Sequence, residues 1–200
     1  MKQILIKNLF KYYGKNLIIN NYSGILTSEN IYFLTSENGT GKTTFFKCLL
    51  KETKYQGIVL DSNLIYAFMP ERALYPYLVT VIDYLSMFLE HEINHYFTQV
   101  IDDFLELFEI KKYKNEYINR LSKGTKQKVL IIKTILSSAD VYLFDEPLTG
   151  LDQKSRNVFM SLIKSLQESD KIIIIASHYY YEYPFDNKKV IDICEFDKNT

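Results

Sequence analysis

Two stretches of this 200-residue chain carry residues whose types and spacing suit phosphate chemistry. In "TSENGTGKTT" a small-residue loop, Ser36 to Gly41, leads into Lys42, Thr43 and Thr44. Backbone amides of Ser36, Asn38, Gly39, Thr40 and Gly41, and the unpaired N–H groups of a helix opening at Lys42–Thr44, would converge on an anion. Lys42 would neutralise terminal phosphates and the Thr43 hydroxyl would coordinate Mg²⁺. In "VYLFDEP" an apolar run ends in Asp145-Glu146. Adjacent acids at such a place divide labour: one holds a hydrated metal, the other takes a proton from attacking water. "KIIIIASH" ends another apolar run at His178, a third group able to reach phosphate.

These side chains need a sheet to bring them together. Ile31–Leu34, Val141–Phe144 and Lys171–His178 are short and almost wholly apolar, as strands buried on both faces of a parallel sheet are. Ligands in open α/β sheets bind beyond the carboxyl ends of such strands. Helices are expected after Lys42, from Thr125 to Ser137 and from Gln153 to Gln167, on apolar positions at helical spacing. Gln3–Leu9 and Leu17–Tyr22 read as a hairpin turning at Gly14 and Asn16, and Gly57–Pro70 as two short strands parted by Asp61-Ser62-Asn63. From Thr80 the period changes to that of helices. Val81, Ile82, Leu85, Phe88 and Leu89, then Phe97, Val100, Ile101, Phe104, Leu105 and Phe108, mark a helical insertion, with Asp102, Asp103 and Glu106 on its wet face. The expected class is α/β, a P-loop NTPase core with a small antiparallel β part, forming one domain over 1–200 with a helical subdomain at 76–124.

Composition narrows the alternatives. Twenty-four basic and 24 acidic residues balance, so no global positive field favours nucleic acid as a partner. Cys48 and Cys194 have no C-x-x-C spacing and suit a reducing cytosol. No apolar run approaches the ~18 residues of a membrane span. His91–His95 spells H-E-x-x-H, the pattern of a zinc hydrolase. In a polar helical stretch whose one other histidine is His178, it reads as a solvated face rather than a metal site.

Taken together the motifs resemble the ATP-binding subunit of an ABC transporter over roughly residues 1–195. Ser36–Thr43 resembles Walker A, with Ser36 in place of the first glycine. "VYLFDEP" resembles Walker B, and Leu121–Thr125, "LSKGT", the signature motif, with Lys123 and Thr125 for Gly and Gln. Leu151-Asp152 resembles the D-loop and His178 the switch histidine. Glu71, in "MPERALYP", stands where the family has a glutamine. The resemblance implies Mg-ATP bound between two ATPase subunits, identical or closely paralogous, packed head to tail. Tyr13 would stack on adenine, while Ser122 and Gly124 would contact the γ phosphate on the facing copy. Glu146 would be the general base, Asp145, Thr43 and Glu71 would face the metal, and His178 would hold the γ phosphate and water beside Lys42. It also implies an integral membrane permease as partner, with the protein peripheral on the cytoplasmic face of the cell membrane. Surface aromatics near Tyr75, Tyr77 and Tyr84 are expected at the permease contact, and "MPERALYP" looks like subunits of exporters. The alternatives are an ABC-type ATPase serving as a nucleotide-switched binding module in a soluble complex, and a phosphate-transferring kinase, which has no reason to contain "LSKGT".

Overall fold

Five parallel strands form the central sheet in the order β5-β6-β7-β3-β8. The computed structural model describes residues 2–35, 41–88 and 95–193. The strands are β3 (Ile31–Leu34), β5 (Tyr66–Met69), β6 (Val141–Asp145), β7 (Ile172–Ala176) and β8 (Lys188–Ile191). Every residue of β3, β6 and β7 is buried, which is why these runs are apolar throughout instead of alternating. A second, antiparallel sheet of order β2-β1-β4 comprises β1 (Gln3–Tyr13), β2 (Asn16–Thr27) and β4 (Gln56–Leu60).

Side chains alternate across the central sheet and sort into two cores. Tyr32, Leu34, Leu143, Ile174 and Ala176 face the antiparallel sheet and α1 (Lys42–Leu49), meeting Ile4, Ile6, Phe45 and Phe46. Ile31, Phe33, Tyr142, Phe144, Ile173 and Ile175 face the other way. There they join a helical layer of α2 (Val81–Ser86), α3 (His95–Leu107), α4 (Lys123–Leu136) and α5 (Gln153–Glu168). Asp145 continues the 141-143-145 series, so it projects on the same side of the sheet as α1.

The expected elements recur within a few residues of their sequence bounds. The two strands flanking Asp61–Asn63 form as read, but they part company: β4 pairs with β1, whereas β5 joins the parallel sheet beside β6. Left-handed backbone at Ser62 and Asn63 turns the chain between sheets. Of the aromatics expected on the surface of the helical layer, Tyr75 and Tyr84 pack against each other at 5.7 Å, and the Tyr75 hydroxyl donates to the Lys126 carbonyl at 3.2 Å. Tyr84 is buried, and Tyr77 alone of the three is exposed, at 80%. Asp102 is not freely solvated, because its carboxylate pairs with Lys114 at 2.6 Å. Of the His91–His95 motif, residues 91–94 lie outside the described residues.

Candidate active site

Four adjacent strands end at one cleft, and each delivers one or two side chains to it. Glu71 follows β5, Asp145 and Glu146 end β6, His178 follows β7, and Lys42 and Thr43 open α1 beyond β3. With Gly41, Thr44, Thr149 and Tyr179 they line a space of about 370 Å³. The register explains the convergence: Asp145 lies opposite Ala176, and Ala176 lies opposite Leu34 on its other side. Three strand ends are therefore level.

Gly41 makes the entry to α1 possible. It caps the helix at φ 115, in left-handed backbone that favours glycine, and a Cβ there would lie 2.6 Å from Ile18 Cγ2 on β2. Gly41 has no side chain to cap this N-terminus and no acid stands in its first turn, so its amides and positive dipole end suit an external anion. Lys42, 8% exposed, directs Nζ to His178 Nε2 at 3.0 Å. An ammonium only donates, so Nε2 accepts, and the imidazole is neutral with its proton on Nδ1. Burial, then the Lys42 charge, hold the His178 pKa below its ordinary value, in keeping with that state. The 3.5 Å approach of Nε2 to Glu146 Oε1 is thus no ion pair.

The two acids differ in their surroundings. The Thr43 hydroxyl donates to Asp145 Oδ2 at 2.6 Å. Burial raises the Asp145 pKa, the Thr43 bond opposes that rise, and Glu71 adds to it. Glu146 Oε1 accepts from the His178 amide at 3.2 Å. Burial lifts its pKa as well, with Lys42 pulling the other way. Glu146 has φ 49, uncommon for a residue bearing a Cβ. Its amide donates to the Ala176 carbonyl at 2.9 Å, which helps to hold that conformation.

Some expected site residues lie elsewhere in the chain. Ser36, Asn38, Gly39 and Thr40 fall outside the described residues. Tyr13 does not line the cleft. It ends β1 with its ring 47% exposed and Lys11 Nζ 4.4 Å from the ring centre. Ser122 lines a separate depression with Lys112, Glu116 and Arg120, and its hydroxyl caps α4 by accepting from the Thr125 amide at 3.2 Å. Gly124 packs on the turn after β6, where a Cβ would meet the Gly150 carbonyl at 2.6 Å. Asp152 caps α5 and pairs with Lys128 at 2.8 Å. That hydrogen bond, then those from Ser155, hold its carboxyl well below the usual carboxylate range. Thr149 and Tyr179, absent from the sequence reading, line the cleft because they neighbour Glu146 and His178 in the chain.

The donors fit a nucleoside triphosphate with its metal. A helix N-terminus opened by glycine and a buried lysine match phosphates, and Thr43, Asp145 and Glu71 supply hard oxygen atoms. The sequence pattern of the ABC transporter family matches residues 19–149. An uncharacterized ABC transporter ATP-binding protein of Methanocaldococcus jannaschii is 32% identical over 179 residues, 88% of this chain and 68% of that protein. The zinc import ATP-binding protein ZnuC of Rickettsia conorii is 33% identical over 181 residues, 88% of this chain and 76% of that one. A solved ATP-binding subunit of an ABC transporter superposes with a TM-score of 0.83 over 94% of this chain and 85% of its own, and at 18% identity it speaks for the fold. The chain therefore belongs to the ABC transporter family as an ATP-binding subunit, and its activity is that of an ATPase.

Proposed function

We propose that the protein hydrolyses Mg-ATP between two head-to-tail copies, or between itself and a close paralogue, and thereby drives uptake through a separate membrane permease. The observation that carries this is the convergence of Lys42, Thr43, Asp145, Glu146 and His178 at the ends of adjacent strands. Lys42 and the Gly41–Thr44 amides, with Ser36, Asn38, Gly39 and Thr40, bind the phosphates. Thr43, Asp145 and Glu71 would hold Mg²⁺, which when bound neutralises charge on the phosphate oxygens. No group of three His, Cys, Asp or Glu side chains able to hold a metal occurs among the described residues. Mg²⁺ takes one or two carboxylates and completes its shell with phosphate and water.

Glu146 takes a proton from water as the water oxygen bonds to the γ phosphorus and the bond to the β–γ bridging oxygen breaks. ADP departs with that electron pair, and phosphate is the second product. His178, whose neutral Nε2 accepts, steadies the attacking water by taking a hydrogen bond from it beside the γ phosphate. Tyr13 stacks on adenine from the hairpin whose β2 strand abuts Gly41.

Separation of Ser122 from the Lys42 cleft within one chain favours a composite site completed by a second copy. In the Glu146→Gln protein, ATP is expected to shift sedimentation from monomer to dimer, and adding Ser122→Arg is expected to abolish the shift. Loss of the α4 cap costs about 1 kcal/mol, so the unfolding midpoint is measured alongside. A protein that stays monomeric while ATP is bound, with or without Ser122→Arg, would sink the composite site.

Among the described residues no helix is long and apolar enough to cross a membrane, and the separate permease is proposed from what ATP-binding subunits of this family work with. We propose that contact, on the cytoplasmic face, where Tyr77, Leu78 and Met87 expose apolar side chains within a helical subdomain spanning 76–124, with Leu74 exposed just before it on the Glu71 loop. Export, expected from "MPERALYP", gives way to uptake because the Rickettsia conorii relative is named for zinc import. Glu71→Ala, measured in solution and with the permease in vesicles, separates chemistry from coupling. Expected is about a tenfold loss of isolated turnover, about 1.4 kcal/mol, as a metal-facing carboxylate requires, with transport reduced at least as far. Near-normal isolated turnover with lost transport assigns Glu71 to coupling instead, and no loss of either removes it from both roles.

A further inference from the structure

Gln127 looks from its neighbours, Lys126 and Lys128, like one of several polar residues on a solvated helix face. It is instead 7% exposed, on α4, and its amide reaches across to the end of β6. Nε2 donates to the Glu146 carbonyl at 3.3 Å and to the Pro147 carbonyl at 3.1 Å. A carboxamide has two N–H donors, so both bonds can be made at once. The peptide it holds is the one in left-handed conformation at Glu146, whose amide is tied to Ala176 of β7. Glu146 is thus gripped on its N–H by the sheet and on its C=O by α4 together with the Thr149 amide at 3.2 Å, while its carboxylate is aimed by the His178 amide.

The geometry points to Gln127 as a positioning residue for hydrolysis: by holding the carbonyls of Glu146 and Pro147 it keeps the Glu146 backbone left-handed and so fixes where the proton acceptor sits. This rests on the reading of Glu146 as the base. The physical reason is that a non-glycine residue at positive φ lies above its extended alternatives by roughly 1–2 kcal/mol. It persists only where its surroundings enforce it. Without the Gln127 donors, the Pro147 carbonyl loses this bond and the Glu146 carbonyl keeps only the Thr149 amide at 3.2 Å, so the turn is held less firmly and the carboxylate can shift with it. An ångström of misplacement at a reacting group can cost about 10²-fold in rate. Gln127 lies on the same helix as Ser122 and Gly124, so the helix that faces the second copy also holds the base of its own cleft.

The test is Gln127→Met, which keeps length and loses both donors, made alone and in the Glu146→Gln background. Expected are a fall in kcat of about tenfold, KM for ATP within twofold, an unfolding midpoint close to that of the unmodified protein, and no further loss of the residual rate in Glu146→Gln. Unchanged kcat overturns the proposal. So does a loss accompanied by raised KM, or an equal loss in the Glu146→Gln background, since a merely structural role would act in both. Should the methionine variant not fold, Gln127→Asn, one methylene too short for both carbonyls, carries the same comparison. Full turnover by Glu146→Gln would instead remove the base assignment, an outcome distinct from failure of the Gln127 effect.

Discussion

The Glu146→Gln protein is expected to bind ATP as tightly as the unmodified chain and to release phosphate about 10²–10⁴-fold more slowly, the usual contribution of a general base. The substitution is close to isosteric. A glutamine Oε1 can still accept from the His178 amide, which the Glu146 carboxylate does now at 3.2 Å, so the left-handed turn and its hydrogen bonds have no reason to change. What disappears is the basic oxygen. A loss confined to kcat, with nucleotide affinity intact, is the signature of an interaction made only in the transition state. The pH profile adds a second reading. Burial raises the Glu146 pKa above the ordinary carboxylate value, so the proton-accepting form is lost as pH falls through that raised pKa. The acidic limb of kcat/KM in the unmodified protein, which reports the nucleotide-free state, is therefore expected at higher pH than an exposed glutamate would give. Turnover of Glu146→Gln within twofold of normal would place the proton acceptor elsewhere.

The parts of this site legible in the sequence are those where local chemistry and burial coincide. Val141–Phe144 and the four isoleucines after Lys171 announce strands buried on two faces, because only such strands dispense with polar residues. The acids and histidine at their ends then stand out against that background. Gly41 and Lys42 were legible through their order in the loop, since left-handed entry to a helix and phosphate neutralisation each demand one residue type. The assignment of β4 and β5 to separate sheets was not, because their sequences specify extended chain but not which edge they will meet. Tyr75 and Tyr84 misled for a related reason: a tyrosine presents the same letter whether its ring packs inward with a bonded hydroxyl or faces water. Gln127 was hidden by composition, between two lysines. Its function depends on a turn 19 residues away in the chain whose conformation no local pattern reveals.

Lys42→Ala is expected to weaken ATP binding about 10- to 100-fold, because hydrogen bonds from a charged donor contribute roughly 1.5–3 kcal/mol each and about 1.4 kcal/mol is a factor of ten. Unlike Glu146→Gln, it acts on binding before chemistry, so the loss is to be seen by equilibrium titration with a nonhydrolysable nucleotide. Lys42→Arg is not a neutral control, since a planar guanidinium would have to fit where a compact ammonium now meets His178 Nε2 at 3.0 Å. The same substitution leaves a mark on the nucleotide-free protein. Lys42 lowers the pKa values of Asp145, Glu146 and His178, and removing its charge moves all three upward. His178 should then protonate at higher pH, where Nε2 becomes a donor and its approach to Glu146 Oε1, now 3.5 Å, becomes an ion pair. With three histidines in the chain, imidazole resonances can be followed one by one through a pH titration. Unchanged nucleotide affinity together with an unmoved His178 titration would mean that the ammonium neither binds phosphate nor sets the charge of the cleft. A weakened affinity with the titration shifted upward ties both effects to the one cation.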